Sequence, residues 1–487
     1  MSDAAASLRY AVRAPVLRYY LSRLALALAA LTLVPLCVAL LLGAPGIAGH
    51  LGLSLLVLLG FWLLGRGTPV PRGVQENEAL VVVALTFVLT PVILLPAFAG
   101  AGLPLEDAFF ESVSAVTTTG LSTVAHSYEY PPALLFLRAW MQWFGGLGIA
   151  VFSVALLFGH HPGTRRLAGT EQQEGFPAST RTYAREVLAV YVVLTLLVVA
   201  ALWLALGDVL QAVLHALTSI STGGFSGYEQ SLADMPSAVA PFVTIGGALL
   251  GALPLVMYYH VVVRRRSVPG GDPEWWAVPV LVILVSVLLS FLLYHTEGMS
   301  AQESLYHGAL LGGSAQTTAG FSTLPIADLG DPAKLMLILA MLSGGSVGST
   351  AGGIKLLRLL VMLRVMTFMV RRTALPSHAV AEMRLGGHRL GEAEIQRALV
   401  VILLFLLTVL LSWLAMVAGG EPALDALFDV VSATGTVGLS TGITGPELAT
   451  PLKLLLCVDM LAGRLEIFAL LVVLYPRTWL GRRIESR

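Results

Sequence analysis

Two stretches of this chain, Leu188 to Leu206 and Val278 to Leu293, contain no charged residue. Each approaches the ~20 apolar residues that an α-helix needs to cross a bilayer. Water is absent from the hydrocarbon core, so every backbone N–H and C=O there must be paired within the protein. Only helices and closed barrels meet that condition. The rest of the sequence has the same bias: 56% of its 487 residues are hydrophobic and 12% are charged, too apolar and too long for a single soluble core. Ten candidate spans emerge, at about 24 to 42, 48 to 65, 78 to 99, 133 to 158, 186 to 206, 238 to 263, 275 to 294, 333 to 370, 396 to 418 and 452 to 475. The first has no convincing small-residue cleavage site and further apolar segments come after it, which reads as a retained span rather than a signal peptide. Cys37 and Cys457 each sit inside an apolar run and are read as packing residues.

Arginines orient the spans. Arg9, Arg13, Arg18 and Arg23 precede the first, Arg66 and Arg72 follow the second, and Arg165, Arg166, Arg181 and Arg185 follow the fourth. Arg264 to Arg266 follow the sixth, Arg371, Arg372, Arg384, Arg389 and Arg397 the eighth, and Arg477, Arg482, Arg483 and Arg487 the tenth. All fall on one face, which the positive-inside rule makes cytoplasmic, together with both termini. Connections on the opposite face carry acids: Glu106, Asp107, Glu111, Asp208, Glu229, Asp234, Glu303, Asp328, Asp331, Glu421, Asp425 and Asp429. An acidic outer mouth concentrates cations by focusing the field.

Among the spans one short pattern occurs four times, roughly a hundred residues apart: Thr118-Thr119-Gly120-Leu121-Ser122, Thr222-Gly223-Gly224-Phe225-Ser226, Thr318-Ala319-Gly320-Phe321-Ser322 and Thr436-Val437-Gly438-Leu439-Ser440. Each copy comes after a semi-apolar segment too short to cross (Phe109 to Val116, Val209 to Ile220, Glu303 to Gln316, Ala423 to Ala433) and precedes a span. A single copy is an ordinary turn; four copies in matching positions point to an ion pore. The short segments fit half-helices that enter from outside and return as extended backbone, which lipid allows only where protein buries it or water lines it. Their C-terminal ends carry partial negative charge, favourable to a cation at the centre. The last copy is close to the Thr-Val-Gly-Tyr-Gly loop whose carbonyls replace the hydration shell of potassium in channels. Gly223 beside Gly224 marks the second copy as the most flexible.

These four strips resemble the filter signature of the Trk/Ktr/HKT superfamily of potassium transporters. Other stretches agree: Ser343-Gly344-Gly345-Ser346-Val347-Gly348-Ser349-Thr350-Ala351-Gly352-Gly353-Ile354-Lys355 is similar to the family's intramembrane loop, Gly463-Arg464-Leu465-Glu466-Ile467-Phe468 to its last pore helix, and Gln142-Trp143-Phe144-Gly145-Gly146-Leu147-Gly148 to the corresponding stretch of the first unit. The resemblance runs from about residue 78 to the C-terminus, and two extra N-terminal spans point to the TrkH-like branch. It implies an all-α membrane protein of four pseudo-repeated membrane–pore–membrane units around one pore, plus two extra N-terminal transmembrane helices. The units would cover residues 74–170, 171–268, 269–392 and 393–487, after an N-terminal two-helix segment at 1–73.

By the same resemblance, carbonyls of Thr118 to Gly120, Thr222 to Gly224, Thr318 to Gly320 and Thr436 to Gly438 bind K+, the transported ion, with Thr117, Ser221, Thr317 and Gly435 immediately before them. Glycine in all four strips implies potassium over sodium; a sodium-permeable or sodium-coupled transporter is the alternative. The setting implied is a bacterial plasma (inner) membrane, with the chain spanning it many times among membrane lipids. A homodimer with two parallel pores, and a separate cytosolic TrkA-like nucleotide-binding regulatory subunit against the arginine-rich inner loops, complete the implied assembly.

Gly344, Gly345, Gly348, Gly352 and Gly353 cluster within an apolar run, where each glycine costs about 1 kcal/mol relative to alanine in a helix. The run should therefore break there. The resulting loop, with Ser349 and Thr350, is read as a gate just below the filter, against the alternative of small-residue helix packing. Lys355 ends it, either in the cavity or near the cytoplasmic surface. Arg464 lies about twelve residues into the last span, where an isolated charge costs several kcal/mol. The resemblance makes it a barrier to cations opposite the loop; a salt bridge with Glu466 or Asp459 is the alternative. Asp459 departs from the family pattern, which is apolar there, and is expected to neutralise Arg464 or pair with Lys355. Arg138, near the outer end of its span, is read as a snorkelling residue. His126, His215, His260, His295 and His307 lack metal-site spacing, and His160-His161 mark the cytoplasmic surface. No nucleophile triad, P-loop or dinucleotide fingerprint occurs, so the sequence points to a transporter without its own cofactor or nucleic-acid partner, not an enzyme.

Overall fold

The computed structural model describes residues 11–71, 73–124, 130–157, 176–263, 273–374, 376, 382–386 and 388–480. Arg9, Arg72, Arg165, Arg166, Arg264 to Arg266, Arg482, Arg483, Arg487, His126, His160 and His161 lie outside these residues. A helical hairpin, α1 (Ala14–Leu41) and α2 (Pro45–Gly65), leads the chain and packs against the helices of the next group. The other described helices fall into four groups along the chain. The first is α3 (Glu76–Ala99), α4 (Leu105–Val116) and α5 (Pro132–Leu157); the second is α6 (Phe176–Leu206), α7 (Val209–Ile220), α8 (Ala240–Ala252) and α9 (Leu255–Tyr258). The third is α10 (Pro273–Thr296), α11 (Ala301–Gln316), α12 (Asp331–Ser343) and α13 (Leu356–Arg372); the fourth is α14 (Glu392–Ala418), α15 (Ala423–Thr434), α16 (Thr450–Arg464), α17 (Phe468–Leu474) and α18 (Pro476–Trp479).

The short second helices begin where the sequence supplies N-terminal partners. Asp208 accepts from Leu210 N (2.8 Å) and Gln211 N (3.2 Å) at the start of α7. Ser300 and Glu303 form a capping box at α11, while Glu106 and Asp107 of α4 and Asp425 of α15 put negative charge on a first turn. Twelve residues of α4, α7 or α15 reach about 18 Å, well short of the hydrocarbon core. Their limits fall within a residue of the half-helix segments expected from sequence, except that α4 begins at Leu105, four residues before Phe109.

In each group the short helix packs on the helices before and after it. Contacts between groups run in one order: α5 on α7, α8 on α11, α12 on α15, and α16 back on α4. The last group thus closes on the first.

Ten continuous spans are not what forms. Among the described residues, seven helices are long and apolar enough to cross a membrane, and α8 with α9 adds an eighth as a pair bent by 93°. The expected spans at 238 to 263, 333 to 370 and 452 to 475 are all interrupted. Pro254 cannot supply a helical N–H and breaks the first. The second stops at Ser343 and resumes at Leu356, with Gly344, Gly348, Gly353 and Lys355 at positive φ. In the third, Glu466 (φ 56°) and Ile467 (φ 59°) turn the chain left-handed after Arg464, unusual for a β-branched residue. The chain is also not wholly helical: Arg384–Leu385 pairs antiparallel with His388–Arg389, with Glu382 bridging Arg384 (2.9 Å) and Arg389 (3.1 Å). Cys457 is buried as expected, but Cys37 is exposed.

Candidate functional site

The four Thr-x-Gly strips leave their helices in the same way. Thr118 N bonds Ala115 O and Thr119 N bonds Ser114 O; Thr222 N and Gly223 N do the same to Ser219 O and Thr218 O. Thr318 and Ala319 pair with Ala315 and Ser314, and Thr436 and Val437 with Ala433 and Ser432. Each strip has a left-handed threonine, Thr118, Thr222, Thr318 or Thr436, at φ 49° to 55°. Two residues later each has a left-handed glycine: Gly120 (90°), Gly224 (80°), Gly320 (75°) and Gly438 (102°). Thr117, Ser221 and Thr317 are fully buried, and Gly435 caps α15.

These glycines bring the strips together. A Cβ on Gly120 would strike Gly223 O and stand 3.4 Å from Gly224 Cα; on Gly224, 2.5 Å from Ala319 O and 3.2 Å from Gly320 Cα. On Gly320 it would strike Val437 O, 3.0 Å from Gly438 Cα, and on Gly438 it would strike Thr119 O, 3.1 Å from Gly120 Cα. The contacts run through all four strips and return to the first.

Buried polar side chains hold the far ends of the strips to their helices. Glu111 accepts from Ser122 Oγ (2.6 Å) and Thr123 N (2.9 Å), and Asp429 from Ser440 Oγ (2.7 Å), Thr441 N (2.9 Å) and Thr444 Oγ1 (2.5 Å). His215 Nε2 meets Ser226 Oγ at 3.0 Å. The third strip has Leu311 at the matching position and uses His307 to Thr323 Oγ1 (3.0 Å) instead. Glu111 and Asp429 are therefore braces, not mouth charges. Asp107 and Asp425 are also engaged, with Lys453 (2.7 Å) and Lys334 (2.9 Å), which leaves a less acidic mouth than the sequence implied. Sequence reasoning does not find these two pairs, although each lysine comes two residues after a helix-starting proline and each aspartate precedes its bracing carboxylate by four.

Arg138 does not snorkel. It is buried, ion-paired with Glu111 (2.8 Å), bonded to Ser122 Oγ (3.1 Å), and stacked over Phe225 at 3.9 Å. A buried carboxylate and an aromatic face satisfy it better than a reach for the interface. Removing one partner of a buried pair costs about 3–5 kcal/mol. Arg138→Met is therefore expected to lower the thermal unfolding midpoint of the purified protein, and Arg138→Met with Glu111→Gln to recover part of the loss; an unchanged midpoint in the single variant would contradict this role. Gln142, one turn along α5, donates to Gly223 O (2.5 Å), so the second strip is braced rather than left loose by its glycine pair.

The break between α12 and α13 lies against the helix ends of the strips. Gly352 N donates to Thr318 Oγ1 (2.7 Å), Gly353 N to Gly435 O (3.0 Å), and Thr350 Oγ1 to Ile220 O (2.9 Å). A Cβ on Gly352 would strike Gly435 O and Thr436 Oγ1. The bend at Pro254 leaves helix-end carbonyls that the loop satisfies: Thr350 N bonds Gly251 O and Ser346 N bonds Ala252 O. Glu274 fastens it from α10, accepting from Val347 N (3.0 Å) and Leu357 N (3.2 Å). Gly345 packs on Ala351 and Ala252, Gly344 packs on Gly352 and Gly353, and Gly348 O accepts from Leu255 N. Ser349 bonds Ser346 O (2.6 Å). Lys355 is buried, its Nζ on Ala351 O, away from any surface.

Arg464 reaches this loop: its Nη1 donates to Thr350 O (2.8 Å) and its Nη2 to Gly145 O (3.4 Å). Neither expected carboxylate meets it. Glu466 pairs with Arg358 on α13, and Asp459 turns to Ser412 Oγ on α14 (2.7 Å), forming no ion pair with Arg464 or Lys355 among the described residues. Packing on α14 rotates Asp459 away from the loop. At the opposite ends of the strips a cavity of ≈ 260 Å³ opens, lined by Gly320, Ser322, Gly438, Ser440 and Glu229 among others. The strips thus separate this cavity from the loop.

Fold and site together define a multi-pass, mostly helical membrane protein. The family described as TrkH, cation transport protein, matches residues 70–268 and 274–478, and the chain belongs to that family. Among its relatives is the Trk system potassium uptake protein TrkI of Halomonas elongata, 32% identical over 486 residues, covering 96% of this chain and 97% of that protein. The Trk system potassium uptake protein TrkH of Escherichia coli K12 is 31% identical over 392 residues, covering 77% of this chain and 80% of that protein. The crystal structure of the potassium transporter TrkH from Vibrio parahaemolyticus superposes with a TM-score of 0.85 at 27% identity, covering 96% of this chain and 99% of that one.

Proposed function

We propose that the chain is the pore-forming subunit of a potassium uptake system and that the four strips are its filter. The closed run of glycine contacts through all four strips carries this reading. The backbone N–H groups of each strip's first two residues are committed to helix carbonyls behind them, which leaves the strip carbonyls, with the buried unpaired hydroxyls of Thr118 and Thr436, to face an ion. A threonine and a glycine at positive φ, two residues apart in every strip, take the strips out of an ordinary strand conformation, in which successive residues alternate sides. A ring of such carbonyls replaces the hydration shell of a monovalent cation. Ends of α4, α7, α11 and α15 add partial negative charge at its base. The loop from Gly344 to Lys355 closes the path on the cytoplasmic side, and Arg464 fixes it shut through Thr350 O. Both termini are cytoplasmic, two copies pair with parallel pores, and a TrkA-like nucleotide-binding ring acts on the loop from the arginine-rich face. The relatives named for potassium uptake support the choice of ion.

Rubidium-86 uptake into liposomes holding the purified protein tests this reading, with potassium, sodium and lithium as competitors. Uptake blocked by potassium at much lower concentration than by sodium is expected. Equal competition by sodium would replace this reading with a sodium-permeable transporter.

A further inference from the structure

The second strip differs from the others at its middle position. Thr119, Ala319 and Val437 stand there elsewhere; here it is Gly223, with no side chain. The volume that a Cβ on Gly223 would take is occupied by the carboxamide of Gln142, whose Nε2 lies 2.9 Å away. Gln142 comes from α5 of the preceding group and is fully buried. Its Nε2 donates to Gly223 O (2.5 Å), and its Oε1 accepts from Phe225 N (3.3 Å). Those two bonds fix the amide orientation, since a flip would set donor against donor. Gly223 O is also the atom that Gly120 packs against, so it belongs to the closed run of strip contacts. Among the described residues no side chain donates to its counterparts, Thr119 O, Ala319 O and Val437 O.

We propose that Gln142 is a specificity-determining positioning residue: its carboxamide stands in for the side chain that the second strip lacks and draws on the Gly223 carbonyl, making one ligand of that ring weaker than the other three. This rests on the reading of the strips as a cation filter. Selectivity among monovalent cations depends on ring size and the field strength of the carbonyl ligands. A hydrogen bond to a carbonyl oxygen draws on its lone pairs, and a weaker field favours the larger ion, whose dehydration costs less. The same bond holds the carbonyl at one distance from the centre, so the ring cannot shrink onto sodium. Gly223 and Gln142 are thus a matched pair.

The test uses the full chain in liposomes and reads the concentrations of sodium and potassium that halve rubidium-86 uptake. Gln142→Met keeps an unbranched side chain of similar size without the donor. It is expected to reduce the sodium-to-potassium ratio of these concentrations by about tenfold, the scale of one net hydrogen bond, while uptake without competitor persists. A second variant, Gln142→Ala with Gly223→Ala, restores a side chain like that of Ala319 but no donor; it is expected to transport with the same reduced ratio. Either variant transporting with the wild-type ratio would overturn the role of Gln142 and leave the filter reading intact. Wild-type uptake that potassium does not block would instead remove the filter reading itself.

Discussion

Replacing Gly320 with serine is expected to abolish potassium-selective uptake. Gly320 has φ 75°, a left-handed conformation that costs a residue with a Cβ about 1–2 kcal/mol. The added Cβ strikes Val437 O, itself a ring carbonyl, and stands 3.0 Å from Gly438 Cα. Overpacking of this kind typically adds about 1–3 kcal/mol when neighbours must move. Here the neighbour that moves is a proposed ion ligand. Because each 1.4 kcal/mol is about a factor of ten, uptake should fall by tenfold or more, or continue only with sodium competing as well as potassium. Gly52 in α2 has open space where a Cβ would stand, so Gly52→Ser should leave uptake unchanged. If Gly320→Ser behaves like Gly52→Ser in rubidium-86 competition, the strips are not the filter.

Arg464→Met is expected to act in the opposite direction and raise uptake. Two effects add. The guanidinium bond to Thr350 O (2.8 Å) is lost, which frees the loop that lies against Gly435 and Thr318. A buried positive charge is also removed from beside the proposed path; like unit charges about 4 Å apart repel by about 4 kcal/mol at an effective dielectric constant near 20. An increase of about tenfold or more in the initial rate is therefore expected. Thr350→Val keeps the charge but removes the hydroxyl bonds to Ile220 O and Gly251 O, and should give a smaller increase. A rate that drops in Arg464→Met would assign Arg464 to holding α5 and α16 together through Gly145 instead.

The four half-helices were legible because short apolar segments ending in the same Thr-x-Gly sequence can do little else in lipid. Asp208 and Ser300 cap two of them, and prolines Pro104 and Pro422 stand before the other two. The helix break at the clustered glycines was legible for the same reason, since helix propensity is a local property. Partners across the bundle were not. Whether Asp459 faces Arg464 or Ser412 depends on the rotation of α16 against α14, and Arg138 looked like a snorkelling residue because Glu111 is 27 positions away on another helix. Breaks at Pro254 and after Arg464 were hidden by the apolar residues around them, which read as continuous spans. The pairing of Gln142 with Gly223 had one local signal, a glycine where the other strips carry side chains, but nothing in the sequence says which side chain fills the space.

Anomalous diffraction from crystals of the protein grown in rubidium or thallium salts locates the ion directly. Peaks should lie among the four strips, equidistant from carbonyls of Thr118 to Gly120, Thr222 to Gly224, Thr318 to Gly320 and Thr436 to Gly438. No peak between the strips, with the ion instead at another polar position such as Asp459 and Ser412, would contradict the assignment of the filter.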